Sequence, residues 1–274
     1  MADPMSTFWS HNPDNYWYDM DTHPTVQCVK TLSAYNKGDK AEFLKGVSWL
    51  IENQDKNGAW PMPFNYKIAG FKAKAPWLCC MTQGMGLSVL TRALESIKFE
   101  AQPRRLGIAH YNAIEPFETR IENGGLVLYT GKNNFYKWYQ GVPSKKGYHI
   151  LNEYLFALIG LVEATGGLNT TDKVTLEENL HQFDLNLPYF KWSRYDNSYH
   201  FFASTMYHRV MIQQLEWLAE KIDSTICKDH AEKWAKWEEL YSKDCKAKYI
   251  MFRVRNIYDA ILGKVVENNN TREI

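Results

Sequence analysis

The sequence predicts a mainly α-helical fold, in which helix hairpins form an incomplete α/α toroid that carries a short β-hairpin insertion. Apolar residues recur at helical spacing along most of the chain, whereas strand patterns are few. The stretches 76–98 and 148–165 are apolar on nearly every side, which is typical of helices buried on two sides. Alternation of such helices with half-buried ones indicates two concentric rings. An irregular α-bundle is the alternative architecture.

The chain divides into an irregular N-terminal segment (residues 1–36), a toroid domain (37–250) and a C-terminal tail (251–274). The hydrophobic pattern of the toroid domain predicts helices at 40–54, 76–98, 104–121, 148–165, 172–184, 204–222 and 225–243. Short strands and turns are predicted at 125–142, where Gly131 marks a hairpin. Residues 187–204 are predicted as a loop.

Individual residues justify the boundaries of the first two helices in this domain. Asn57-Gly58 supplies a turn after the first helix, and Trp60 behind it resembles a tryptophan that packs against helix hairpins in toroids. Pro76 suits the first turn of the next helix. Gly84 and Gly86 lower the helix propensity there, so we expect another backbone or a ligand to approach them closely.

Composition limits the classes of partner. The net charge of +1 gives little support to nucleic-acid binding, which normally requires a basic excess. Aromatic residues reach 15%, which fits either an aromatic core or a sugar-binding cleft. The sequence shows neither a signal peptide nor an apolar run long enough for a membrane span, so a cytoplasmic location is favoured. A homodimer is left open.

Cysteine and histidine spacing predicts neither a metal site nor a cofactor. The five cysteines are odd in number and are not spaced as metal ligands, so we expect buried free thiols in a reducing compartment. Cys79 and Cys80 lie in an apolar helix and are expected in the core. The isolated histidines His11, His23 and His181 also lack metal-ligand spacing.

Three blocks of sequence follow one another within residues 76–220. The first comprises Trp77, Met81-Thr82-Gln83-Gly84 and Ser88–Ala93, and is similar to W-x-S-A-M-A-Q-G-Q…S-x-L-x-R-A. The second comprises Tyr136–Tyr139, Ile150–Glu153 and Leu158–Leu161, and is similar to W-Y-E-E-Y-P…V-L-N-G…L-I-G-L. The third comprises Leu187–Tyr189, Ser193–Asp196, Tyr207-His208 and Ile212–Leu215, and is similar to L-P-x-Y-D…Y-D-L…Y-H…H-I-x-Q-L. In this order the blocks resemble the C-terminal domain of D-glucuronyl C5-epimerases.

The resemblance implies inversion of C5 in a glucuronyl residue of an acidic polysaccharide or glycan. The C5 proton lies α to a carboxylate, so its removal needs a base on one face and an acid on the other. By resemblance, Tyr139 and Tyr207 transfer protons and Tyr195 lies close to the sugar. The implied substrate-binding residues are Gln83, Trp138, Asn152, Arg194, Asp196, His208 and Arg209, of which the two arginines would pair the carboxylate.

The chain departs from the family pattern at three positions. Trp138 stands where the family has a glutamate before the tyrosine, Ser198 where it has an arginine, and Met211 where it has a second histidine. Two alternatives therefore stay open: a polysaccharide lyase or hydrolase on the same toroid, and a non-catalytic glycan-binding protein. A hydrolase would need a carboxylate pair, for which the sequence offers Glu153, Asp184 and Asp196.

Overall fold

The computed structural model describes Met5 and residues 22–68, 71–96, 103–143, 149–187, 190–197 and 202–241. Over these residues the chain forms eight α-helices and three antiparallel two-stranded hairpins. The helices are α1 Pro24–Lys37, α2 Lys40–Asn53, α3 Cys80–Ser96, α4 Pro103–Asn112, α5 Leu151–Thr165, α6 Thr170–Asn179, α7 Thr205–Lys221 and α8 Thr225–Tyr241. The strands are β1 Tyr66–Ile68, β2 Phe71–Ala73, β3 Val127–Thr130, β4 Tyr136–Tyr139, β5 Asp184–Leu187 and β6 Phe190–Ser193. The prediction of a mainly α-helical fold is confirmed; closure into a toroid stays a prediction.

Side-chain caps and glycines set several helix ends. Asp39, Asn169 and Ser204 each accept a hydrogen bond from a backbone N–H in the first turn of the helix that follows. Gly38 and Gly166 end α1 and α5 with φ of 72° and 79°, a backbone conformation that glycine adopts without steric cost. These helix ends therefore depend on local sequence.

Helices α1, α3, α5 and α7 pack side by side in that order and run in the same direction. Thr25 near the start of α1 contacts Thr82 near the start of α3, with their hydroxyl oxygens 2.6 Å apart. Arg92 near the end of α3 forms an ion pair with Glu163 near the end of α5, at 2.8 Å. Helices α2, α4 and α8 each pack on the helix before them, and α6 packs on β4. The parallel row brings four helix N-termini to one end of the molecule.

Glycines let α3 and α5 approach closely. A Cβ added at Gly84 would lie 2.7 Å from Cα of Ala157, and one added at Gly160 would lie 2.7 Å from Cα of Gly84. The expectation that another backbone approaches Gly84 is confirmed. At Gly86 the neighbour is instead the buried indole of Trp60, whose Nε1 donates to the carbonyl of Leu50 at 2.9 Å.

The prediction of an irregular segment over residues 1–36 is wrong for residues 24–36, which belong to α1. Threonines on the buried face hid the apolar period in the sequence. Thr25 is satisfied by Thr82, and Thr31 donates to the carbonyl of Gln27 at 2.7 Å, so both side chains are buried without an unpaired hydroxyl.

Hairpins and helix ends account for the other differences. The hairpin predicted at 125–142 is confirmed as β3–β4, whereas β1–β2 and β5–β6 were not predicted, because strands of three or four residues are too short to show a period. The helix predicted at 104–121 ends at Asn112 and is followed by 3-10 turns, the first of which contains Pro116. The tail 251–274 lies outside the described residues.

The described cysteines match their prediction. Cys28, Cys79, Cys80 and Cys227 are buried and form no disulfide, while Cys245 lies outside the described residues. Burial raises the pKa of the Cys79 thiol to about 12, so this thiol stays protonated near neutral pH. Within the part of the chain that the structure describes, no helix is long and apolar enough to cross a bilayer.

Candidate active site

Two cavities lie at opposite ends of the parallel row of helices. The N-end cavity, of about 110 Å³, is formed by residues at or near the starts of α1, α3, α5 and α7, joined by the loops after β4 and β6. The C-end cavity, of about 630 Å³, lies at the other ends of these helices and contains the Arg92–Glu163 ion pair. Of the residues predicted as functional, Asn152, Tyr195 and Tyr207 line the N-end cavity and none lines the larger one.

Helix N-termini contribute a positive electrostatic potential to the N-end cavity. Asn152 and Glu153 lie in the first turn of α5, and Tyr207 lies in the first turn of α7. The N-terminal end of a helix carries a partial positive charge from its unpaired N–H groups, and several such ends meet here. The backbone therefore offsets part of the cost of placing an anionic group in the cavity.

Glu153 is the acid of the N-end cavity. Its carboxyl is buried, and Oε2 has no hydrogen-bond partner among the described residues. Burial raises the pKa of this carboxyl from 4.5 to about 8, because the charged form loses its hydration. A group that titrates near neutral pH can both accept and return a proton, which general acid–base catalysis requires.

Tyr207 and Tyr195 lie side by side in the same cavity, with ring centroids 4.8 Å apart. Burial raises the pKa of the Tyr207 phenol, and the negative charge of Glu153 raises it further. A hydrogen bond from Tyr195 lowers that pKa in part. The phenol of Tyr207 is therefore protonated at neutral pH and suited to donate a proton.

Aromatic rings form one wall of the N-end cavity. Trp77 stacks on Tyr66 with ring centroids 5.7 Å apart and an interplanar angle of 20°, and its Nε1 donates to the carbonyl of Phe64 at 2.7 Å. Phe64 packs edge-on against the same indole. Flat rings with polar edges are well suited to pack against a sugar face.

Tyr139 does not reach the N-end cavity, so the prediction that it joins Tyr195 and Tyr207 is wrong. Its side chain is fully buried, and its hydroxyl donates to the carboxylate of Asp172, 2.9 Å from both oxygens. Burial raises the pKa of this phenol well above its ordinary value, and the negative charge of Asp172 is the second-largest cause. Tyr139 therefore attaches β4 to the start of α6, where Asp172 lies.

The predicted cationic partners of a carboxylate lie elsewhere. Arg194 is half-buried, and its Nε donates to the carbonyl of Asp184 at 3.3 Å. Arg209 is exposed and forms an ion pair with Glu238 on α8. Among the described residues, the lining of the N-end cavity includes no arginine or lysine.

His208 has a structural role in these contacts. Its Nδ1 lies 2.7 Å from Oγ of Ser193, its Nε2 lies 3.1 Å from the carbonyl oxygen of Trp234, and its ring stacks on Trp192. Burial lowers the pKa of this imidazole to about 4. The prediction that His208 donates to the sugar is wrong because the ring is enclosed between α7, α8 and β6.

The remaining predicted residues divide between the cavity and the core. Gln83, which was predicted to bind substrate, is buried outside the cavity lining and donates to the carbonyls of Gly58 and Ala113, so it braces these loops. Trp138 is buried and stacks on a neighbouring tyrosine, and Asp196 is buried outside the cavity lining. Asn152 lines the cavity, and its Oδ1 has no partner within the described chain.

Sequence reasoning weighed Glu153 only as an acid for hydrolysis and did not place it in the epimerase site. A signal was present, because an acidic residue stands in the run from Leu151 to Leu161, in which only Asn152 and Tyr154 are otherwise polar. Charged side chains are almost never fully buried without a partner, so an acid in such a helix indicates a functional site.

The fold and cavity define a class of helix-hairpin protein with an acid, a pair of phenols and an aromatic wall at one end of its parallel helices. Residues 54–236 match the family model described as "D-glucuronyl C5-epimerase C-terminus". Because this match covers more than half of the chain, the protein belongs to the D-glucuronyl C5-epimerase C-terminal family. The resemblance found in the sequence is confirmed.

One curated relative is the D-glucuronyl C5-epimerase of Caenorhabditis elegans, which is 32% identical over 125 residues. The matched region covers 44% of this chain and 19% of the relative. The chain thus spans about a fifth of the length of this relative.

Proposed function

We propose that this chain carries the acid–base site of a C5-epimerase that acts on glucuronyl residues in a polysaccharide or glycan. Family membership supports the reaction class. The observation that carries the proposal is the buried carboxyl of Glu153, with a pKa of about 8, in one cavity with the protonated phenol of Tyr207.

In the proposed reaction, the ionised carboxylate of Glu153 removes the C5 proton on one face of the sugar. The electron pair of the broken C–H bond is delocalised onto the substrate carboxylate, and Tyr207 delivers its phenolic proton to C5 on the opposite face. Glu153 is left protonated and Tyr207 is left ionised, so proton exchange with solvent restores both. The hydrogen bond from Tyr195 stabilises the ionised phenol.

The substrate carboxylate gains negative charge as C5 is deprotonated, and this charge must be stabilised. The helix N-termini around the cavity contribute to this without an arginine, since each N-terminus carries a partial positive charge. Trp77 and Tyr66 would pack on the sugar ring. Each of these groups lies in the same cavity as Glu153.

Hydrolysis receives less support from the same residues. A hydrolase needs two carboxyl groups that flank the bond. Asp184 accepts from Lys233 at 2.6 Å and from the indole of Trp234 at 2.8 Å, and it is not among the described residues that line the N-end cavity. A lyase shares the first proton transfer and is separated from epimerisation by experiment.

The test incubates the 274-residue chain with a glucuronate-containing polysaccharide in heavy water and measures deuterium at C5 by NMR. Exchange without chain cleavage is the expected result. A new ultraviolet-absorbing double bond would identify a lyase instead, and binding without exchange would identify a glycan-binding protein.

Two substitutions test the assigned residues. Glu153→Gln and Tyr207→Phe should each reduce C5 exchange by about 10²–10⁴-fold, the usual contribution of a positioned acid or base. The matched controls are Glu122→Gln, an exposed carboxyl, and Tyr136→Phe, whose hydroxyl donates to Glu178 outside the cavity. Exchange in the wild type should rise with pH through about 8, because Glu153 must lose its proton to act. If Glu153→Gln or Tyr207→Phe exchanged C5 at the rate of the wild type, the role assigned to that residue would be contradicted.

A further inference from the structure

Gly141, in the loop after β4, packs directly against the carboxyl of Glu153. A Cβ added at Gly141 would overlap Oε2 of Glu153 and lie 2.5 Å from its Cδ, and the nearest atoms it would meet all belong to Glu153. The backbone of Gly141 is not among those with a left-handed φ, so its conformation does not require glycine. The Glu153 carboxyl therefore occupies the space that a side chain at residue 141 would fill.

We infer that Gly141 is a positioning residue, because its missing side chain leaves the space into which α5 places the carboxyl of Glu153. Gly141 leaves the space, and Glu153 fills it with a carboxyl. The consequence for exchange rests on the proposed function, whereas the placement of the carboxyl does not. Both can be measured separately.

Gly141→Ala tests the positioning role. The new methyl group must displace the Glu153 carboxyl, but only the flexible end of that side chain has to move, so the melting temperature should stay close to that of the wild type. C5 exchange should fall by about 10²-fold, since a small misplacement of a catalytic group has that effect. The carboxyl pKa of Glu153, followed by carbon-13 NMR titration, should move away from its wild-type value.

Gly167→Ala is the matched control, because no atom lies within 4 Å of a Cβ added there and its backbone is not left-handed. It should leave exchange and the Glu153 titration unchanged. Unchanged exchange and an unchanged titration in Gly141→Ala as well would overturn the positioning role.

The double variant Gly141→Glu/Glu153→Gly tests whether this space itself positions the carboxyl. It returns a carboxyl to the same space from the other side, so exchange should recover by about tenfold or more over Glu153→Gly alone. No recovery in a folded double variant would contradict the role assigned to this space. If the wild type itself fails to exchange C5, the proposed function fails, while the titrations of the Gly141→Ala and double variants still decide where the carboxyl lies.

Discussion

Glu153→Gln should change how the free energy of unfolding depends on pH. Burial raises the pKa of this carboxyl from 4.5 in its ordinary state to about 8 in the folded chain. Between these two values the unfolded chain has lost the proton and the folded chain retains it. Because the folded state binds more protons, stability falls as pH rises through this range, and the loss is complete above the folded pKa.

The size of the effect follows from the two pKa values. Each pKa unit corresponds to about 1.4 kcal/mol, so the wild type should lose roughly 3–4 kcal/mol, relative to Glu153→Gln, from about pH 5 to about pH 8. Glutamine has nearly the same shape as the protonated acid and does not titrate. The difference in unfolding free energy between the two proteins therefore isolates this one carboxyl.

Urea denaturation of both proteins at several pH values measures this difference. Subtraction is necessary because His149 and His208 have pKa values lowered to about 4 by burial. Those imidazoles destabilise both proteins as pH falls below their ordinary pKa of 6.5. Their contribution to stability therefore rises with pH, whereas that of Glu153 falls. Parallel curves, with a constant difference between wild type and variant, would refute the reasoning and show that Glu153 titrates near its ordinary value.

Two further substitutions test the packing around the site. Tyr139→Phe should destabilise the chain by about 1–3 kcal/mol, because Asp172 loses a buried hydrogen-bond donor. The rate of C5 exchange per folded molecule should not change, and a large loss of exchange would show that Tyr139 acts in the site after all. Gly84→Ala should destabilise by about 1–3 kcal/mol or more in urea titration, because the methyl group would meet the backbone at Phe156. Gly107→Ala, a helical glycine with open space around it, should instead stabilise by up to about 1 kcal/mol, and equal effects of the two alanines would contradict the close approach.

The sequence by itself determined the mainly helical content and seven of the eight described helices in their order. Helical periodicity, capping residues such as Asn169 and Ser204, and the αL glycine at Gly166 are local properties, and most of these helices formed close to their predicted bounds. The exceptions are α1, which was not predicted, and α4, which ends at Asn112. The three sequence blocks also identified the family, since their order along the chain can be read without any knowledge of contacts. The aromatic hairpin β3–β4 was predictable for the same local reason.

Only the tertiary structure decided which of the predicted side chains meet. Tyr139 and Tyr207 are both tyrosines in motifs, but one is enclosed against Asp172 while the other opens on the N-end cavity. Glu153 gains its raised pKa from burial among α3, α5 and α7, and its space from Gly141, which lies on a different element, the loop after β4. Desolvation and side-chain direction depend on every neighbour packed around a group, so a linear pattern cannot specify them.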